Sequence, residues 1–503
     1  MSAQPREEQP TWILSRRVFL IGLGIVYAIA FSSLWVQLAG LIGSGGIAPV
    51  SGFLSDVADR LGSDAYWQVP TLFWLNASDA ALNIACGLGV AASVLIIIGI
   101  APAFHLALAW VLYLSLVSVG DVFLAYQWDT LLLETGLIAC LFAPATSAGL
   151  RRSPHPAGLW ALRWLLFRLV FASGVAKLTS GDPTWRGLTA LEFHYWTQPI
   201  PGWTSYYAHH LPAAVHTAST IATIAIECVA PLLIFFPGRP RSIAAGAIAA
   251  LMVSITVTGN FGFFNLLTLV LCVVLLDDVR IRKMLRLRIS TNRLTPRSPT
   301  AVGRVGYALV CALLAAQAGI GTVRMLDRIG LGPKWPAPIR AAVAATGSLR
   351  SANSYGLFVV MTTDRTEIDI EGSHDGENWR PYRFLWKPGP LDRTPAFAQP
   401  HMPRLDWQMW FAALGQCRSN PWFLRFQARL LAGASAVSAL LDDDPFQGDP
   451  PRYIRSTVHR YHFAPLSDPA GWWQRELVGE YCPVLTLEGS RLRRVRAGEL
   501  DAH

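Results

Sequence analysis

Lys177 closes an apolar run, RWLLFRLVFASGVAKL, and is followed by a polar, aromatic stretch. An amine held away from water gives up its proton more readily and can serve as a general base. A lysine near a helix end can instead reach back to the interface and anchor its segment. Three more ionisable groups lie in apolar runs: Glu134 in YQWDTLLLETG, Arg168 in the run of Lys177, and Glu227 in IAIECVAP. Such charges are costly in lipid and are usually paired. At a rise of about 1.5 Å per residue, Arg168 lies about 12 Å and Glu227 about 14 Å from the cytosolic ends of their spans. Lys177 and Glu134 fall in the opposite third. Depth matching predicts the pairs Arg168–Glu227 and Lys177–Glu134. A structural or gating role for these pairs outweighs chemistry, because buried ion pairs commonly orient helices.

The stretch after Lys177, SGDPTWRGLTALEFHYWTQPIPGWTSYYAHHLP, is dense in aromatic residues. Gly181-Asp182-Pro183 is turn chemistry. Aromatic rings beside arginine supply binding hot spots, so Trp185, Arg186, His194, Tyr195 and Trp196 are candidates for contact with another polypeptide. An aromatic belt at the membrane interface fits the composition equally well. His209 and His210 are adjacent, which does not place two ligands on one helical face, so no metal site is expected. Farther on, Arg404, Asp406, Trp407 and Trp410 in HMPRLDWQMWFAAL are candidates to touch a partner polypeptide or to join the tail to the membrane region. Folding the tail itself is their plainer role.

Five of the seven cysteines lie in apolar segments. Cys417 and Cys482 lie in the polar tail and could pair if that region is extracytoplasmic. The chain has no C-x-x-C, G-x-S-x-G, P-loop or H-E-x-x-H, so thiol exchange, hydrolase chemistry, a cofactor and a metal are not expected.

The elements that must position these groups are set by hydropathy. Of 503 residues, 52% are hydrophobic and 15% charged, with a mean hydropathy of +0.36 and 19 tryptophans. A soluble domain carries about a quarter charged residues. A spanning helix needs about 20 apolar residues. Nine candidates occur, at 18–42, 80–101, 103–122, 128–144, 159–178, 213–236, 241–258, 261–276 and 305–323, the fourth and eighth being short. Before residue 324 there are 20 Lys and Arg. With the N-terminus inside, 15 fall on inner segments and two, Arg60 and Arg186, on outer loops. Basic loops stay in the cytosol, so this orientation is favoured.

The tail begins as strands. In TEIDIEG, Ile368 and Ile370 alternate with Glu367, Asp369 and Glu371, the period of a half-buried strand. SHDGENW supplies Asp-Gly turn chemistry, and Tyr382, Phe384 and Trp386 alternate beyond it. LDWQMWFAAL and NPWFLRFQARLLAG have helical spacing, and RYIRSTVHRYHF reads as a strand. With 22 basic and 19 acidic residues the tail is nearly balanced, which argues against nucleic acid as a partner.

The reading is an all-α polytopic membrane bundle of about nine transmembrane helices with a C-terminal extracytoplasmic mixed β/α domain. Residues 1–17 form a cytosolic segment, 18–323 the bundle with outer loops 43–79 and 179–212, and 324–503 the outer domain.

Five stretches carry a family likeness: YQWDTLLLETG, LRWLLFRLVFASGVAKLTSGDPTWRGLTALEFHYWTQPIP, TGNFGFFNLLTLVLCVVLLDD, HMPRLDWQMWFAAL and DDPFQGDPPRYIRSTVHRYHF. In order along most of the chain, they resemble the lipase maturation factors. The resemblance implies a membrane protein that helps secreted lipases fold and assemble, with a client-engaging C-terminal region on the export side. It implies the endoplasmic reticulum membrane in a eukaryote and the cytoplasmic membrane in a bacterium, with secreted clients and membrane lipid as partners. The ending GELDAH is not a reticulum-retention tetrapeptide. ASGVAKL with its Trp-containing loop is also similar to the segment of the vitamin K-dependent γ-carboxylase that holds a catalytic lysine. That likeness implies Lys177 as base in an alternative, enzymatic reading.

Overall fold

A computed structural model describes residues 11–286, 301–468, 471–489 and 491–495. Arg6, Arg288, Arg293 and Arg297 of the charge count and the GELDAH ending lie outside them. Among the described residues seven helices are long and apolar enough to cross a membrane: Ile13–Trp35, Asp79–Ile98, Pro102–Val119, Pro156–Thr179, Ala213–Phe235, Arg239–Val257 and Gly306–Arg328. The two segments expected to be short are helical but shorter. Gln127–Phe142 has 16 residues, and Phe264–Cys272 continues as a 3₁₀ turn to Leu275.

We label the helices α1 (Ile13–Trp35), α2 (Val50–Leu61), α3 (Asp79–Ile98), α4 (Pro102–Val119), α5 (Gln127–Phe142), α6 (Pro156–Thr179), α7 (Ala190–Thr197), α8 (Trp203–His209), α9 (Ala213–Val229), α10 (Arg239–Val257), α11 (Phe264–Cys272), α12 (Asp278–Leu285), α13 (Ala301–Arg328), α14 (Arg404–Ala413) and α15 (Pro421–Leu431). Local chemistry starts several of them. The Ser78 hydroxyl accepts from Ala81 N at the head of α3, and Pro156 opens α6 behind the His155 side chain, which accepts from Ala157 N.

The two ends of the bundle are distinguished by their contacts. At one end the Asp278 carboxylate accepts from Ile13 N (2.9 Å), Ser15 N (3.0 Å) and Thr11 Oγ1 (2.7 Å), tying α12 to the start of α1. Arg16 reaches the carbonyls of Gly149 and Arg152 at the same end, both at 2.8 Å. The opposite end carries the tail. The short helices α5 and α11 run between these ends. Near its start, α5 meets Arg404 of the tail through Asp129, and past its last residue the Pro144 carbonyl accepts from Ala103 N. Gly262, just before α11, packs on Met402 of the tail, and beyond it the Val274 carbonyl accepts from Arg163 Nε.

The tail folds as a five-stranded antiparallel sheet, β1 (Thr366–Ser373), β2 (Arg380–Pro381), β3 (Tyr453–Phe463), β4 (Trp473–Glu488) and β5 (Arg491–Arg494), in the order β2-β1-β3-β4-β5. Ile368 lies opposite Val458, and Phe463 opposite Trp473. Ile368 and Ile370 are buried, as the alternation predicts. Glu367 departs from it and is buried as well, because Arg365 and Lys387 both pair with it. The expected hairpin partner is brief: β2 has two residues, and Tyr382 N extends the pairing to the Ile370 carbonyl. Cys417 and Cys482 form a disulfide that ties the turn before α15 to β4.

Candidate functional site

The notable chemistry lies where the tail meets the bundle. Arg404 opens α14 and points into the bundle. Its guanidinium holds Asp129 of α5 in a bidentate pair (2.9 and 2.8 Å) and donates to the Phe123 carbonyl (2.6 Å). Both side chains are 0% exposed. Tyr113 Oη of α4 donates to the same carboxylate. The planar fork matches a carboxylate edge, which an ammonium could not do.

A second junction lies at mid-depth. Residues 351–356 insert among α5, α6 and α13. Glu134 accepts from Arg168, from Gln317 Nε2 (2.6 Å), Tyr355 Oη (2.6 Å), Asn353 N (2.9 Å) and Asn353 Nδ2 (3.1 Å). Arg168 also donates to the Asn353 carbonyl (3.0 Å). A membrane-embedded carboxylate is thus satisfied partly by the tail.

Two further clamps hold the stretch 179–212. Fully buried Arg365, just before β1, donates to the carbonyls of Trp196 (2.8 Å), Gln198 and Pro199 (2.9 Å) and to Glu367. Asn260 donates to the carbonyls of Ile200 (3.1 Å) and Ala396 (2.9 Å) and accepts from Ala398 N (2.8 Å). Asp182 caps a single turn at Pro183–Arg186 and accepts from Met361 N (2.9 Å).

The intramembrane pairing differs from the one expected. Arg168 pairs with Glu134, and Lys177 with Glu227, whose two oxygens lie 2.8 and 2.7 Å from Nζ. Depth matching failed because the helix ends are not level: Gly174, about 27 Å along α6 from Pro156, packs on Glu227, which lies only about 15 Å from Phe235. The 3₁₀ segment Ala230–Phe235, at about 2.0 Å per residue, supplies only about 3 Å of that difference. Gly174 also lets α9 approach there: a Cβ on it would lie 2.7 Å from the Cβ of Glu227. Lys177 sits 5.2 Å from the Trp185 ring centroid as well. Its amine is engaged on two sides.

Most client-contact candidates face inward. Trp185, His194, Tyr195, Trp196, Arg404, Asp406, Trp407 and Trp410 are buried, and only Arg186 of the nine is exposed. Their partners explain this correction. Trp185 Nε1 donates to the Phe358 carbonyl (2.9 Å), and Trp410 Nε1 to the Thr197 carbonyl (2.9 Å). Trp407 packs edge-on against Trp128. Asp406 accepts from Trp386 N and Lys387 N (2.8 and 2.9 Å), and burial pushes its carboxyl up to about 6. Burial, with a smaller push from Lys177, brings the His194 imidazole down to about 4. These residues join stretch 179–212, the tail and the bundle into one body.

Asp129, Arg365, Glu367, Asn260, Asn353 and Tyr355 were not singled out by sequence reasoning. Asp129 and Asn260 stand in the quoted YQWD and TGNF stretches, so their local signal was present without a role attached. Among the described residues no group of three or more His, Cys, Asp or Glu could hold a metal ion.

The turn SHDGENW is closed by Asp375, which accepts from Glu377 N and Asn378 N (both 2.8 Å). The Arg455 guanidinium lies over the Trp379 ring at 4.4 Å, so one ring face is covered.

Two family models match the chain in order: the lipase maturation factor transmembrane domain over residues 14–283 and the lipase maturation factor C-terminal domain over residues 351–483. Similar proteins include lipase maturation factor 2 of Rattus norvegicus, 35% identical over 94% of this chain and 83% of its own. Lipase maturation factor 1 of Bos taurus is 33% identical over 96% of this chain and 90% of its own. Lipase maturation factor 1 of Homo sapiens is 33% identical over 96% and 89%. No solved structure matches. None of these relatives is named as a carboxylase, so the enzymatic reading of Lys177 gains no support from them.

Proposed function

The chain belongs to the lipase maturation factor family, and from that premise we propose that it is a membrane-embedded helper for the folding of exported lipases and similar clients. The observation that carries this reading is that similarity to lipase maturation factors runs through both bundle and tail, the parts that Arg404 and Asp129 join. A helper that must hold a client at the membrane needs its client-facing domain fixed on its anchor.

Counting α5, and α11 with its 3₁₀ turn, as crossings gives nine and puts residues 324–503 opposite the N-terminus. The charge ratio favours a cytosolic N-terminus. The Cys417–Cys482 disulfide suits an oxidising compartment. Together these support an export-side tail, in the endoplasmic reticulum lumen of a eukaryote or outside the cytoplasmic membrane of a bacterium.

The client surface is non-covalent. The Leu391 carbonyl covers the second edge of β4 at Trp473, but among the described residues no strand pairs with that edge from Arg475 to Cys482, and Leu477 and Val478 there are 61% and 53% exposed. A free strand edge with apolar side chains can take an extended segment as an added strand. Exposed Arg186 remains a candidate contact on stretch 179–212. The test is site-specific photo-crosslinking from position 478 during export of a lipase. Adducts with the newly exported, inactive lipase and none with the mature enzyme are expected. Equal adducts with both, or none with either, would overturn the role of this edge.

A further inference from the structure

We propose that the cavity beside Lys177 binds a neutral single-chain amphiphile, its head at His194 and Asn265 and its chain leaving sideways between α9 and α10 into the lipid. This site is separate from the β4 edge, and the proposal does not rest on the client reading.

The cavity measures about 300 Å³, at the lower end of the ~300–1,000 Å³ usual for small-molecule sites. Its lining is mostly apolar; Lys177, Glu227, His194 and Asn265 supply its charged, imidazole and amide groups, and lining hydroxyls such as those of Thr223 and Ser254 bond to carbonyls one turn back on their own helices. Ala222 of α9 and Ala250 and Ser254 of α10 line it and are exposed, on helices apolar enough to face lipid. These small side chains leave a lateral mouth.

Two nitrogens of the lining have no partner. His194 Nδ1 and Asn265 Nδ2 are buried without a hydrogen bond, in side chains 9% and 2% exposed. A buried polar group without a partner costs about 1–3 kcal/mol, so an occupant that satisfies both would be bound in preference to a plain hydrocarbon tail.

The charges decide the head group. Lys177 gives two hydrogen bonds to Glu227, so the pair has no net charge to attract an anion. The Asn265 amide can donate to an ester or hydroxyl oxygen, and the imidazole can donate to or accept from a hydroxyl. The size admits one acyl chain beside such a head. A monoacylglycerol has this chemistry.

The test uses the full chain purified in detergent, a monoacylglycerol with a diazirine in its acyl chain, and mapping of the labelled peptides. Label is expected to concentrate in residues 219–226 and 250–258. Excess monoolein should suppress it, while oleate and lysophosphatidylcholine compete about tenfold less well, a factor worth about 1.4 kcal/mol. Ala222→Trp with Ala250→Trp, which fills the mouth from the lipid side, should lower labelling about tenfold at unchanged elution volume. Asn265→Leu should weaken competition by monoolein. Label spread evenly over the lipid-facing helices, or oleate competing as well as monoolein, overturns the proposal. If a variant fails to fold, the label map and the competition series on the unaltered chain decide by themselves.

Discussion

Arg404 of the tail and Asp129 of α5 form a bidentate ion pair with no exposed surface on either side chain, 275 residues apart in sequence. Removing one partner leaves the other charged and buried. Arg404→Ala is therefore expected to cost about 3–5 kcal/mol, and Arg404→Lys to lose much of the pair because an ammonium cannot fork. Asp129→Asn with Arg404→Met should be milder than Arg404→Ala alone. Thermal unfolding in detergent, with protease release of the tail as a second readout, measures this. A single variant within about 0.5 kcal/mol of the unaltered chain would contradict the lock.

The intramembrane partners give a sharper comparison. Double-mutant cycles should show coupling for Lys177–Glu227 and for Arg168–Glu134, on the order of 1–3 kcal/mol. The cross-cycles Lys177–Glu134 and Arg168–Glu227 should give little. Coupling in the cross-cycles at the size of the direct ones would mean that the partners are exchanged.

The disulfide closes a long loop, Cys417 to Cys482, 65 residues apart in sequence. Cys417→Ser is expected to destabilise the tail by about 2–4 kcal/mol. Reducing agent should lower the melting temperature of the unaltered chain and leave that of Cys417→Ser in place. A melting temperature indifferent to reductant would show that the bond does not form.

Asp406 makes stability depend on pH. Its carboxyl is raised to about 6 in the folded chain, above the usual carboxylate value. The folded state therefore holds a proton that the unfolded state has released, and this contribution is full below about pH 4 and lost as pH rises through about 6. Asp406→Asn keeps an oxygen for Trp386 N and Lys387 N and removes the titration. The difference in melting temperature, variant minus unaltered chain, should grow between pH 4 and 7. A constant difference contradicts the assignment.

Much of the bundle was legible because lipid imposes one requirement, a long apolar helix, that hydropathy reports directly. Seven of the nine expected spans are helices long and apolar enough to cross a membrane, and the other two, expected to be short, are shorter helices. The strands at Ile368 and Ile370 and at Tyr453–Phe463 followed from alternation. The junction was not legible. Burial of Trp185 or Arg404 depends on partners 173 and 275 residues away, which no local pattern encodes. Exposed and buried aromatics look alike in sequence, so a stretch rich in Trp and Tyr reads equally as a contact surface or a membrane belt, while its Trp185, Tyr195, Trp196 and Tyr206 are packed inside. The charge partners were missed because depth was counted from helix ends that are not level across the bundle.

The central claim is that this chain brings an exported lipase to its active fold. It is tested most directly by the specific activity of a secreted lipase, per mass of enzyme, made in cells with and without the gene. The account predicts lipase that is synthesised in equal amount but largely inactive or retained without the chain, and restored by the full chain but not by residues 1–323 alone. Lipase of equal specific activity and equal secretion in both cells would contradict it.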